Sequence, residues 1–111
     1  EEIMQLLFQM LEREDEKYKV IKTDVLVAIA DPKNGLVRDR YHNTFSYRRC
    51  FIGSEAVKFV AEKFSKFFKS KQGVLDVLND IMSDGVFKHV LDQHNTLRDE
   101  YLFYRFEEDA L

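Results

Sequence analysis

The stretch Leu36-Val37-Arg38-Asp39-Arg40-Tyr41-His42-Asn43-Thr44-Phe45-Ser46-Tyr47-Arg48-Arg49-Cys50-Phe51-Ile52-Gly53-Ser54 decides the fold. Its two halves carry β-favouring residues on either side of His42-Asn43-Thr44. Asn tolerates left-handed backbone angles, so this tripeptide is the expected tip of a hairpin. On the first strand Leu36, Arg38 and Arg40 fall on one face, and Val37, Asp39 and Tyr41 on the other. Phe45, Tyr47 and Arg49 return together on one face of the second. Gly53-Ser54 then opens a helix, with Ser54 as the expected N-cap, since its hydroxyl can accept a free backbone N–H.

Working outward, Val57, Val60, Ala61, Phe64 and Phe68 form the apolar stripe of that helix, and Lys58, Lys63, Lys66 and Lys69 lie off it. A further helix is predicted over 71–84, with Val74, Leu75, Leu78, Ile81 and Met82 inward and Gly85 as the left-handed residue beyond its end. Residues 86–90 and 101–106 read as a closing hairpin around the polar loop 91–100. Upstream, Tyr18, Ile21, Val25 and Ile29 mark a helix over 17–30 that Asp31-Pro32 stops, followed by the turn signal Asn34-Gly35. Ile3, Leu6, Leu7, Met10 and Leu11 make a separate two-turn stripe. That stripe is expected to pack on the domain's own body. The sharper alternative is a piece of a longer helix or coiled coil, which two turns are too short to establish. The domain boundaries follow: an amphipathic helical extension over 1–16, the domain proper over 17–107, and an acidic tail over 108–111.

A chain of 111 residues fits one domain, able to bury about two-thirds of its unfolded surface. With 45% hydrophobic and 14% aromatic residues, a packed core is expected and wholesale disorder is excluded. No apolar run reaches the ~20 residues of a membrane span. No leader peptide is legible, and the opening at Glu1 predicts a segment of something larger. The single Cys50 predicts a reducing, intracellular compartment. The net charge of −3 divides unevenly, at −3 over residues 1–36, +6 over 37–74 and −6 over 75–111. A basic block inside an acidic chain marks the face an anionic partner would meet, unless its charges pair with the acidic ends.

Catalytic chemistry is not legible. Cys50 reads as a buried, inert thiol. His42, His89 and His94 lack metal-ligand spacing and read as surface or turn residues. The scattered glycines at 35, 53, 73 and 85 cradle no phosphate. Asp76, Asp80 and Asp84 share a helix face, which reads as solvated rather than as a cation site, because no loop supplies further oxygen ligands. No enzyme, cofactor or metal is therefore expected. The helix–helix–hairpin ending invites a DNA-binding reading. However, the helix that would enter the groove has Lys71 as its sole base, so nucleic acid is not an expected partner.

Four motifs in order carry a family resemblance: Val37-Arg38-Asp39-Arg40, then Phe51 to Val57, then Gly85 to Val90, then Tyr101 to Phe106. Together they resemble the signature of a DEP domain, the module of Dishevelled, pleckstrin and regulators of G-protein signalling, over about residues 20–107. The resemblance implies a mainly helical α+β fold: a winged-helix-like three-helix bundle with a protruding β-hairpin arm and a C-terminal hairpin. It also implies a non-catalytic signalling module, cytoplasmic and recruited to the inner face of the plasma membrane. Carried over by position, Arg38 and Arg40 fall in the family's basic arm strand, and Tyr41, His42, Asn43, Thr44 and Phe45 form its docking tip. With Lys63, Lys66 and Lys69, these arginines are the candidate lipid-facing residues.

Two mechanisms follow. Basic residues near an anionic leaflet contribute about 1 kcal/mol each, so four give a weak, millimolar-class attachment. Alternatively, the arm docks on a receptor's cytoplasmic segment or on another domain of the parent, anchored by Tyr41, Phe45 and Tyr47. Core packing is the competing expectation for Phe45 and Tyr47, and less so for Tyr41. Exchange of the arm between two copies is a further implication of the resemblance.

Overall fold

The computed structural model describes residues 2–107, apart from the side chain of Glu14. The expected acidic tail at 108–111 lies outside the described residues. The element order is α1 (Glu2–Ala30), a short 3-10 turn (Pro32–Asn34), β1 (Arg38–His42), β2 (Phe45–Ile52), α2 (Gly53–Lys63), α3 (Lys71–Ser83), β3 (Phe87–His89) and β4 (Phe103–Phe106).

The first correction concerns α1. The two helices expected over 3–11 and 17–30 are one uninterrupted helix of 29 residues. No Gly or Pro separates them, and the Glu, Lys and Arg between are strong helix formers, so nothing breaks the backbone ladder. The helix ends as expected at Asp31-Pro32, where the Asp31 carboxylate accepts the Lys33 N–H and Gly35 closes the turn at φ +68°.

Both expected hairpins form, β1 with β2 and β3 with β4. Pairing of Cys50, Phe51 and Ile52 with Arg105, Tyr104 and Phe103 joins them in one antiparallel sheet of order β1-β2-β4-β3. The aromatic content of β4 explains the joint: Phe51, Phe87, Tyr104 and Phe106 meet edge-on or stacked at centroid distances of 5.2–6.4 Å.

The core lies between this sheet and the three helices. Val25 and Ile29 of α1, Ala56, Val57 and Val60 of α2, and Val74, Val77, Leu78 and Ile81 of α3 close around Phe51 and Tyr104. The Tyr104 hydroxyl donates to the Thr96 carbonyl and accepts from the Arg98 N–H, pinning the long loop before β4. Burial raises the pKa of that phenol, outweighing the bond from Arg98.

Helix α2 begins one residue earlier than its expected cap. Ile52 stands at the N-cap and Ser54 makes no side-chain cap. Instead the Gly53 and Ser54 amides donate to the Leu102 and Glu100 carbonyls, so the loop before β4 satisfies the free amides. The apolar stripe of α2 predicts a helix as far as Phe68, but the helix stops at Lys63 and residues 64–67 form a turn.

Candidate functional site

The arm is a β-hairpin closed by a two-residue turn, with Asn43 at φ +51° and Thr44 at φ +69°. Positive φ at both central residues is the type I′ geometry that matches the twist of the flanking strands. Tyr41 is 77% and Phe45 65% exposed, so Phe45 belongs to the tip and not to the core. Tyr47 is half-buried and packs edge-on against Phe103 at 5.1 Å, as the core expectation had it. His42 turns back onto Tyr101 and Phe103 at 5.6 and 6.0 Å, so it joins an aromatic patch at the base of the arm.

Arg38 and Arg40, read as neighbours on one face, are separated. Arg38 pairs with Cys50 and Arg40 with Tyr47, so β2 holds one more residue than β1 between these positions. The bulge falls where Arg49 adopts φ +49° and donates its N–H to the Asp39 carboxylate. Arg38 stays in solvent, whereas Arg40, two residues further along β1, is taken out of it. Arg40 is buried. Its guanidinium donates to the Leu36 carbonyl at 2.8 Å, the Cys50 carbonyl at 3.2 Å and the Glu55 carboxylate at 3.1 Å. It therefore cannot face lipid; it braces the arm against α2.

The basic block otherwise stays in solvent. Arg38, Arg48, Arg49, Lys58, Lys63, Lys66 and Lys69 are exposed and make no ion pair among the described residues, whereas Lys71 pairs with Asp99 at 2.7 Å. Lys63 closes α2, and Lys66 and Lys69 follow in the turn to α3. Sequence reading missed Phe67 between them, which is 60% exposed. The available signal was its offset from the stripe formed by Phe64 and Phe68.

The remaining candidates are structural. Cys50 is fully buried with its thiol toward the Tyr47 carbonyl, and burial raises its pKa above the usual range despite Arg40 and Arg105 nearby. Of the surface and turn roles expected for it, His89 takes the turn role: it is buried, and its Nδ1 accepts the Leu91 and Gln93 amides. The aspartate face of α3 is not simply solvated. Asp80 accepts the Tyr18 hydroxyl, and Lys22 pairs with Asp84 at 2.5 Å, so this face seats the C-terminal half of α1. Burial and these carboxylates push the Tyr18 phenol far above its ordinary pKa. No group of His, Cys, Asp and Glu able to hold a metal occurs among the described residues. No described helix is long and apolar enough to cross a membrane.

A bulged arm braced on a small helical bundle, with a second hairpin completing one sheet, defines a winged-helix-like, mainly helical α+β domain. Comparison with known proteins gives the family. The domain found in Dishevelled, Egl-10 and pleckstrin (DEP) matches residues 35–106, and the chain belongs to that family. The vacuolar membrane-associated protein IML1 of Saccharomyces cerevisiae is 34% identical over 71 residues, 64% of this chain and 4% of that protein. The human phosphatidylinositol 3,4,5-trisphosphate-dependent Rac exchanger 2 protein is 29% identical over 77 residues, 69% of this chain and 5% of that protein. Mouse Rap guanine nucleotide exchange factor 5 is 30% identical over 91 residues, 82% of this chain and 10% of that protein. The solution structure of the mouse pleckstrin DEP domain superposes with a TM-score of 0.60 at 15% identity, covering 79% of this chain and 89% of that one. The chain thus spans a tenth or less of the length of these curated relatives.

Proposed function

We propose that this domain acts without catalysis, attaching a larger signalling protein to an anionic membrane surface, the inner face of the plasma membrane. The observation that carries the reading is the group Lys63, Lys66 and Lys69, exposed and unpaired among the described residues, with Arg38 as a fourth exposed base on the arm. Four such groups at about 1 kcal/mol each give a millimolar-class contact, so a second signal in the parent must add to it. The relatives' names offer support: one is vacuolar membrane-associated and another depends on an anionic phosphoinositide.

The test is co-sedimentation with phosphatidylcholine vesicles, with and without phosphatidylserine. Pelleting should require the anionic lipid, weaken from low to physiological salt, and vanish in the variant Lys63→Glu/Lys66→Glu/Lys69→Glu. Equal pelleting with neutral vesicles would reject the reading.

The second reading is protein docking through the tip, favoured by the exposure of Tyr41 and Phe45. Aromatic side chains held on a rigid hairpin are effective anchors for a receptor's cytoplasmic segment or for another domain of the parent. Binding of a receptor-tail peptide, lost in Tyr41→Ser/Phe45→Ser yet kept in the triple lysine variant, would select it.

A further inference from the structure

The N-terminal half of α1 has no cover. Ile3, Met4, Leu6, Leu7, Phe8, Met10 and Leu11 are each 49–73% exposed, so the expectation that this stripe packs on the domain's own body does not hold. Ile3, Leu7 and Met10 continue the same helical face as Tyr18, Ile21 and Val25, the face by which α1 is seated on α3. The body ends before the helix does. The long axis of the molecule is 64 Å against 26 and 23 Å for the others, and α1 accounts for about 43 Å at 1.5 Å per residue. The same helix also borders a mainly apolar groove of about 580 Å3, lined by Tyr18, Val20 and Ile21 of α1 and by Phe67 and Phe68 after α2, together with the charged Glu16, Lys17 and Asp24 of α1.

We propose that a second copy of this chain covers both features, residues 3–11 of each α1 lying in the groove of the other. A two-fold axis crossing α1 near residue 13 sets residues 3–11 of one copy against residues 16–24 of its mate, antiparallel, so one operation fills both grooves. The area fits. Seven large apolar side chains per copy and the walls they cover amount to about 1,500–2,000 Å2 in total, the size of a stable specific interface. Around the axis the sequence holds Glu12, Glu14, Asp15 and Glu16 beside Arg13, Lys17 and Lys19, so both signs of charge are present. An anionic bilayer is the weaker occupant, because the stripe runs directly into those four acids.

The experiment is light scattering with size-exclusion chromatography over a concentration series. It compares the wild-type chain, Leu7→Glu/Met10→Glu and Phe67→Asp. All three positions are exposed in the single copy, so circular dichroism and melting of the variants at low concentration should match wild type. The wild type should dimerise, and each variant should weaken the dimer by about a hundredfold or more. A wild-type chain that stays monomeric throughout overturns the proposal, as does a dimer indifferent to Leu7→Glu/Met10→Glu. A dimer lost in the helix variant but kept in Phe67→Asp overturns the groove as the seat.

Discussion

Arg40 and Glu55 form the bond between arm and bundle, with the guanidinium 3.1 Å from the carboxylate and 92% of its side chain out of solvent. Glu55 is half-exposed and can fall back on water, but the Leu36 and Cys50 carbonyls that share the same guanidinium are held in a buried setting. Removing the donor therefore costs the desolvation of those carbonyls more than the ion pair itself. Arg40→Ala should destabilise the domain by about 2–3 kcal/mol in urea unfolding, and Arg40→Lys by less, since an ammonium keeps a donor and the charge though it cannot reproduce the whole fork. Arg38→Ala, one pleat away in solvent, should stay within about 0.5 kcal/mol of wild type. Equal effects at the two arginines would contradict the bracing role of the Arg40 guanidinium.

Gly53 is where backbone meets backbone. A Cβ there would lie 2.3 Å from the Arg98 carbonyl oxygen and 3.0 Å from the Tyr104 ring. The contact cannot relax cheaply, because the Gly53 and Ser54 amides are bonded to the same loop. Gly53→Ala should cost about 3 kcal/mol, a fall in Tm of about 12–24 °C for a domain of this size. Gly73 is the control. A Cβ there meets nothing closer than 3.6 Å, so Gly73→Ala in α3 should raise stability by about 0.5–1 kcal/mol. A melting curve of Gly53→Ala that overlays wild type would mean that the loop yields.

How much of this was legible in the sequence depends on the range of the force involved. The α3 boundaries, the Asp31-Pro32 stop, Gly85 and the hairpin turn are local, set by periodicity and φ preference, and the structure agrees with them. The burial of Arg40 was not legible, because alternation places it alike with Arg38 and two of its partners, the Cys50 carbonyl and Glu55, lie on β2 and α2. The misassigned cap at Ser54 has the same origin, for the real partners of the first α2 amides lie nearly fifty residues downstream in sequence. Phe45 and the stripe of α1 reveal a different limit. An apolar pattern says which face avoids water, but not whether this chain supplies the cover.

His89 makes stability pH-dependent. Its Nδ1 accepts two amides, so the neutral ring carries its proton on Nε2, and burial, with the His94 ring 4.8 Å away, lowers its pKa below the ordinary value of about 6.5. Asp92 opposes this shift without reversing it. A base with a depressed folded pKa binds fewer protons folded than unfolded. Its contribution is therefore complete above about pH 6.5 and is lost as the pH falls through the folded value. Protonation also converts the acceptor into a donor facing two N–H groups. Melting temperatures at about pH 8 and about pH 5 should differ more for wild type than for His89→Gln, with the carboxylates common to both. An identical acid loss in the variant would remove His89 from the account.

Thr44 carries strain at the point of the arm. It is β-branched yet holds φ +69°, beside Asn43 at +51°, a conformation costing roughly 1–2 kcal/mol for a residue with a Cβ. Its hydroxyl donates to the Asn43 carbonyl, an exposed bond that offsets little of this. Thr44→Gly creates the Asn-Gly pair that type I′ turns prefer, at the expense of greater freedom in the unfolded chain. The net should be a gain of about 0.5–1 kcal/mol, read as a higher urea midpoint at unchanged slope. The same variant should therefore fold more stably while changing the presentation of Tyr41 and Phe45. A lower midpoint would show that the turn does not hold the type I′ geometry.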